Sequence, residues 1–131
     1  MSVAGPAALL VAKVHKIAER ADSAARAVDK DALDVLRLLR AIALDEMARG
    51  MRRLLASDLA DDVTRQAIEL ADGLLRQPDH IGPTMAARAV GGLEDPDVIA
   101  ASLAALYTDV ANDLRQRPSP ILPRRPAPMA A

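Results

Sequence analysis

At 131 residues the chain is one domain's worth of polypeptide, long enough to bury a single modest core. Half of it is hydrophobic (51%), but Tyr107 is its sole aromatic residue, and the absence of Cys excludes disulfides, thiolate metal sites and cysteine nucleophiles together. A net charge of −1 excludes a whole-protein field that would draw the chain to nucleic acid or to an anionic membrane. The apolar residues are Ala, Leu, Val, Ile and Met, which favour helix over sheet, so the expected fold is all-α. Lys occurs only at positions 13, 16 and 30 among many Arg, a usage expected of a GC-rich genome. The apolar run 7–12 is too short for a membrane span and has no basic flank before it. The expectation is a cytoplasmic bacterial protein with no membrane partner.

Residues 1–6 read as a flexible start ending in Gly5-Pro6. Leu10, Val14, Ile17, Ala21, Ala24 and Val28 then recur at spacings of four and three, the mark of an amphipathic helix over residues 7–28. Asp29-Lys30-Asp31 interrupts the stripe, and Asp31 is placed to cap a second helix over 32–56. That helix is apolar around much of its circumference, which predicts a central position. Gly50 inside it costs on the order of 1 kcal/mol against Ala, so it marks either a close helix contact or a bend. Asp45 and Arg49 form an ordinary (i, i+4) surface pair.

Ser57-Asp58 or Asp61 is expected to cap a third helix over 62–76, with Val63, Ala67, Leu70, Ala71, Leu74 and Leu75 facing inward. Residues 77–83 hold two prolines and a glycine and read as a loop. A short helix over 84–90 should stop at Gly91-Gly92. Asp95-Pro96 is a good cap and first-position pair for a last helix reaching residue 116, with Ile99, Leu103, Leu106, Val110 and Leu114 as its stripe. The tail, 118–131, carries Pro at 118, 120, 123, 126 and 128 and reads as extended polyproline or disordered. Expected, then, is one bundle domain over 7–117, with four longer helices and a short one.

Motif chemistry is sparse. The two His (15 and 80) and four Glu (19, 46, 69 and 94) never form the paired Glu-x-x-His motifs of a di-iron bundle. His15 with Glu19, and His80 in its loop, read as surface residues. No phosphate-cradling glycine loop, G-x-S-x-G or HExxH is present. A helix-turn-helix over 61–90 would have too long a turn and only Arg88 to read bases. The tail's P-x-x-P spacings read as part of a disordered end rather than a docking motif.

One charge pattern stands out. Lys13, Lys16 and Arg20 are spaced three and four apart and share a helix face, and Asp31 and Asp34 follow three apart. Helices joined by a short connection run antiparallel, so a basic stripe can meet an acidic pair. Plain surface ion pairing accounts for such a pattern, at roughly 0–1 kcal/mol per pair. The functional alternative is cations that bind a triphosphate or a nucleic-acid backbone while an aspartate acts nearby on a metal or a proton.

The stretch Ala12-Lys13-Val-His-Lys16-Ile-Ala-Glu-Arg20, with Lys30-Asp31-Ala-Leu-Asp34-Val-Leu-Arg-Leu-Leu39 after it, resembles the helical part of AbiEii-type and related minimal nucleotidyltransferases. The resemblance covers residues 7–40 and implies toxin–antitoxin or phage-defence biology. It implies a nucleotide-contacting Lys13 with Arg20 as companion, Lys16 on the same face, Asp31 as the active-site acid and Asp34 as the acid three residues on. Family members of that fold also carry a Gly-Ser turn and a sheet-borne Asp-x-Asp/Glu metal motif, and neither is found in this sequence. Implied is therefore a helical half without its palm, not catalytic alone, with Mg²⁺ and nucleotide entering only if a separate palm domain supplies their site. A palm-domain or antitoxin partner, nucleotide or tRNA would be its ligands. The alternative is a non-enzymatic bundle acting by self-association, as a homodimer, or by partner binding through apolar helix faces.

Overall fold

The computed structural model describes residues 5–19 and 26–116; the tail, residues 1–4, and Arg20 with the five residues after it lie outside the described residues. The described residues are all-α, with no strand: α1 (Pro6–Glu19), α2 (Arg26–Ala41), α3 (Leu44–Leu55), α4 (Asp61–Leu74), α5 (Ile81–Val90) and α6 (Pro96–Gln116). They form two intersecting groups. α1 packs on α3 and α4, while α5 packs between α2 and α6; the α1–α2, α3–α6 and α2–α6 contacts join them. Leu10, Val14 and Ile17 of α1 meet Val35 and Leu36 of α2, Met47 and Met51 of α3, and Leu103 and Tyr107 of α6 in one continuous core. No described helix is long and apolar enough to cross a membrane.

Six helices replace the expected five because the predicted second helix is two. α2 begins by Arg26 and ends at Ala41; Ala43 is extended (φ −60°, ψ 145°) and starts α3. A single helix over 32–56 would be a rod of about 38 Å, too long for so small a core to cover on several sides. The break lets both apolar faces reach the same interior, and Asp45 and Glu46 then sit in the first turn of α3, where the helix dipole favours them. Asp31 is accordingly no cap: it lies inside α2, and residues 29–31 continue that helix instead of interrupting it. Val28, assigned from the sequence to the first helix, also belongs to α2.

Other expectations shift less. α1 starts at Pro6, inside the expected flexible start. α4 starts one residue early, at Asp61 after an Ala60 cap position with no side-chain cap, because the Ser57 carbonyl already accepts from the Ala60 and Asp61 amides. Val63 and Leu70, expected inside, are 42% and 36% exposed. α5 begins at Ile81 and takes Gly82 and Pro83 from the expected loop; Pro is tolerated in a first turn, where its missing N–H has no partner to lose. Gly82 is required there, since a Cβ would meet the Leu74 carbonyl oxygen at 2.7 Å. Gly91 closes the helix in the left-handed region (φ 69°). α6 matches its predicted bounds, with Asp95 Oδ1 accepting from the Asp97 amide at 2.9 Å. Gly50 proves to be a close contact, because a Cβ there would lie 2.8 Å from Ala7 Cβ.

Candidate functional site

The two flanks of α1 carry the molecule's two candidate sites. On the α2 side, Lys13 reaches across to the first half of α2. Its Nζ donates to Asp31 Oδ1 at 2.9 Å and to Asp34 Oδ2 at 3.0 Å. Lys16 stands 4.0 Å from the same Asp31 oxygen, and Arg37 stands 3.8 Å from Asp34 Oδ1. The structure thus brings together Lys13, Lys16, Asp31 and Asp34; Arg20, the fifth predicted site residue, is outside the described residues.

Burial sets what this cluster can do. The Asp31 side chain is 8% exposed and that of Lys13 19%. A charge so enclosed needs both a counter-charge and hydrogen bonds, and each supplies the other's. Hydrogen bonding to Asp31, then to Asp34, holds the Lys13 ammonium above the ordinary lysine pKa of 10.5, against a partial desolvation that works the other way. The next acid along, Asp29, is clamped in turn by Arg88 of α5, whose Nε and Nη2 donate at 3.0 and 2.6 Å. All three aspartates of α2 therefore have cationic partners, and two of the lysine's three protons are engaged.

The cluster does not fit Mg²⁺. The Lys13 ammonium lies between the two carboxylates, in the position a bridging cation would need. A divalent ion also calls for a larger set of oxygen ligands than one aspartate pair. No group of three or more His, Cys, Asp or Glu able to hold a metal occurs among the described residues.

On the other flank, α1 and α4 leave a groove of about 550 Å³. Ala8, Ala12, Leu54, Ala60 and Val63 wall it. The small residues make the space: Ala8 and Ala12 on α1 and Ala60 in the turn before α4 fill little of the gap. His15 and Glu19 line it further along α1, and the His15 Nε2–H donates to the Val63 carbonyl at 2.9 Å, which fixes the ring to the groove wall. His15, expected to be a surface residue, is thus a strut between helices. Thr64, also lining the groove, is 0% exposed, and its hydroxyl has no hydrogen-bond partner. A buried hydroxyl left unsatisfied costs about 1–3 kcal/mol, a local cost the fold carries at this position.

Sequence reasoning singled out the residues of the charged cluster and not those of the groove. Ala8 and Ala12 are one helical turn apart, a visible small-residue face, but the groove also needs Ala60 and Val63 opposite them. Their placement follows from the α3–α4 turn, for which the sequence offers several alternative caps. Nothing marks Thr64 in advance. No family model, curated protein or solved structure matches the chain.

Proposed function

We propose that this protein is a non-enzymatic helical module that works by binding an apolar segment in the groove between α1 and α4. The observation that carries the reading is the groove of about 550 Å³ with mainly aliphatic walls, to which His15 and Glu19 add a few polar groups. Such a combination, an apolar concavity with few polar groups, is the usual form of a ligand site. The Lys13 cluster supports it by contrast, because its charges are satisfied within the fold. A screen of small aliphatic and aromatic fragments, followed by amide NMR shifts, tests the reading. Saturable shifts are expected to gather at Ala12, Val63 and Thr64 and to vanish in Val63→Glu. Fragments that gather elsewhere, or bind nowhere, overturn it.

The convergence of Lys13, Lys16, Asp31 and Asp34 favours a second reading. In it the chain is the helical half of a nucleotidyltransferase-like site whose palm belongs to another chain. Lys16 (48% exposed) and the third Lys13 proton would then meet phosphate. Titration with Mg·ATP separates the two. Under the first reading the amides of Lys13, Lys16 and Asp34 stay still; a saturable shift there, abolished in Lys16→Ala with the fold intact, establishes the second.

A further inference from the structure

We infer that the outer face of α4 is a homodimer surface, on which Leu59, Val63, Gln66, Leu70 and Gly73 meet the same five residues of an antiparallel second copy about a two-fold axis at Gln66. The inference goes beyond the groove reading and does not rest on it, because its register is set by Leu59 and Gly73, neither of which lines the groove.

α4 carries a second apolar stripe besides its buried one. Thr64, Ala67 and Ala71 turn inward. Val63 and Leu70 stay 42% and 36% exposed, and Leu59, in the turn that leads into the helix, is 98% exposed. With Gln66 and Gly73, both exposed, they recur at spacings of four, three, four and three, the seam pattern of a helix that packs on another helix. Gly73 is the least expected member. Glycine weakens a helix relative to alanine. Its φ is not positive, so it is no left-handed cap, and a Cβ added there would meet no described atom within 4 Å. Among the described residues nothing calls for a missing side chain at this position; a close approach from outside does.

The stripe is its own complement when reversed. Leu59 and Gly73 stand seven residues to either side of Gln66, and Val63 and Leu70 three and four. Turned end for end about Gln66, a second α4 lays Leu59 of each chain over Gly73 of the other, the most exposed side chain over the position that has none, and sets Val63 beside Leu70. The two Gln66 amides meet at the axis, each with a donor and an acceptor for the other. Charge agrees with this register. Arg65 leans back to Asp61 and Asp62, at 3.5 and 3.1 Å, the level at which Glu69 of the second copy arrives. Glu69 has no ion-pair partner among the described residues, and the guanidinium has donors to spare for it. From Leu59 to Gly73 the face is about 21 Å long and, at one helix width, about 10 Å across. That is less than an obligate dimer buries and suits a reversible one.

Sedimentation equilibrium of the full chain is expected to show a monomer and dimer that exchange with concentration. Leu59→Ser and Gly73→Leu should each weaken the dimer about tenfold or more, the first by removing the knob and the second by filling its seat. Neither should reduce helical circular dichroism in dilute solution, because both positions are exposed. The absence of native Cys allows a second measurement of the register. Under mild oxidation Gln66→Cys should form a disulfide dimer at least about tenfold faster than Glu94→Cys, an exposed position off the face. A chain that stays monomeric up to about 1 mM, a dimer indifferent to both Leu59→Ser and Gly73→Leu, or equal rates of disulfide formation at the two positions overturns the proposal. Each of those outcomes leaves the groove reading standing, since its fragment shifts at Ala12 and Thr64 are read on the dilute chain.

Discussion

The two flanks of α1 are built from opposite materials. On one, Lys13 faces Asp31 and Asp34, and the charges close on each other at 2.9 and 3.0 Å. On the other, Ala8 and Ala12 face Ala60 and Val63, and the helices leave about 550 Å³ between them with a buried hydroxyl unpartnered. In sequence the first flank is conspicuous and the second blank. In the fold the first has satisfied its own demands, and the second has not. A dense pattern of charges on a small helical protein can be the means by which two helices find their register, while capacity for a ligand lies where side chains are small.

The sharpest way to break this contrast is to remove the ammonium. Lys13→Met leaves the enclosed Asp31 with only the more distant Lys16, and should lower unfolding free energy by about 2–4 kcal/mol in urea. The double change Lys13→Met/Asp31→Leu should recover most of that loss, because neither charge is then stranded. A cluster serving only a ligand would show little loss in either variant.

Alkaline pH strains the charged side next. Lys13 and Tyr107 both have folded pKa values above their ordinary ones, Tyr107 pushed up to about 12 chiefly by burial and then by the Asp72 charge, against Arg76 and Arg115. A raised folded value means stability that is whole below the unfolded pKa and lost above it. The melting temperature should hold from neutral pH to about 10, then fall as pH rises to 12. Tyr107→Phe should remove the tyrosine share, about 2 kcal/mol, and should cost little at neutral pH because the Tyr107 hydroxyl has no partner to lose.

Gly50 seats α1 between its flanks. Gly50→Ala should cost about 1 kcal/mol net despite the better helix propensity of alanine, since its Cβ would press on Ala7, and Ala7→Gly should relieve the clash. Smallest are the changes in the groove itself. Thr64→Val should be neutral or stabilising by up to about 1 kcal/mol in thermal melts, the reverse of what a satisfied buried hydroxyl would give.

Much of this was legible beforehand, where the cause is local. Asp95-Pro96 and the stripe from Ile99 to Leu114 gave α6 both its ends and its buried face. The three-residue spacing of Lys13 and Lys16 and that of Asp31 and Asp34 placed the cluster. Gly50 offered a close contact or a bend, and the contact with Ala7 is the one realised. The break at Ile42-Ala43 had no such sign: no Gly or Pro stands there, and the helix stops because the bundle interior cannot cover a longer rod. The misreading of Asp31 as a cap followed from the same cause, a helix boundary set by tertiary packing instead of by end signals. The groove was illegible for a different reason. It is made by what side chains do not fill, and only the placement of α4 beside α1 turns a row of alanines into a space.

One buried ring gives this molecule an optical property. With no Trp and no Phe, near-ultraviolet absorption rests on Tyr107, which is 1% exposed against the core helices. Between its ordinary pKa of 10.0 and its folded value of about 12, its phenolate band will come chiefly from molecules whose interior has opened. A single absorbance trace therefore counts unfolded molecules directly, without a label, and a tight match between that trace and the loss of helical circular dichroism would establish that secondary and core structure melt as one unit.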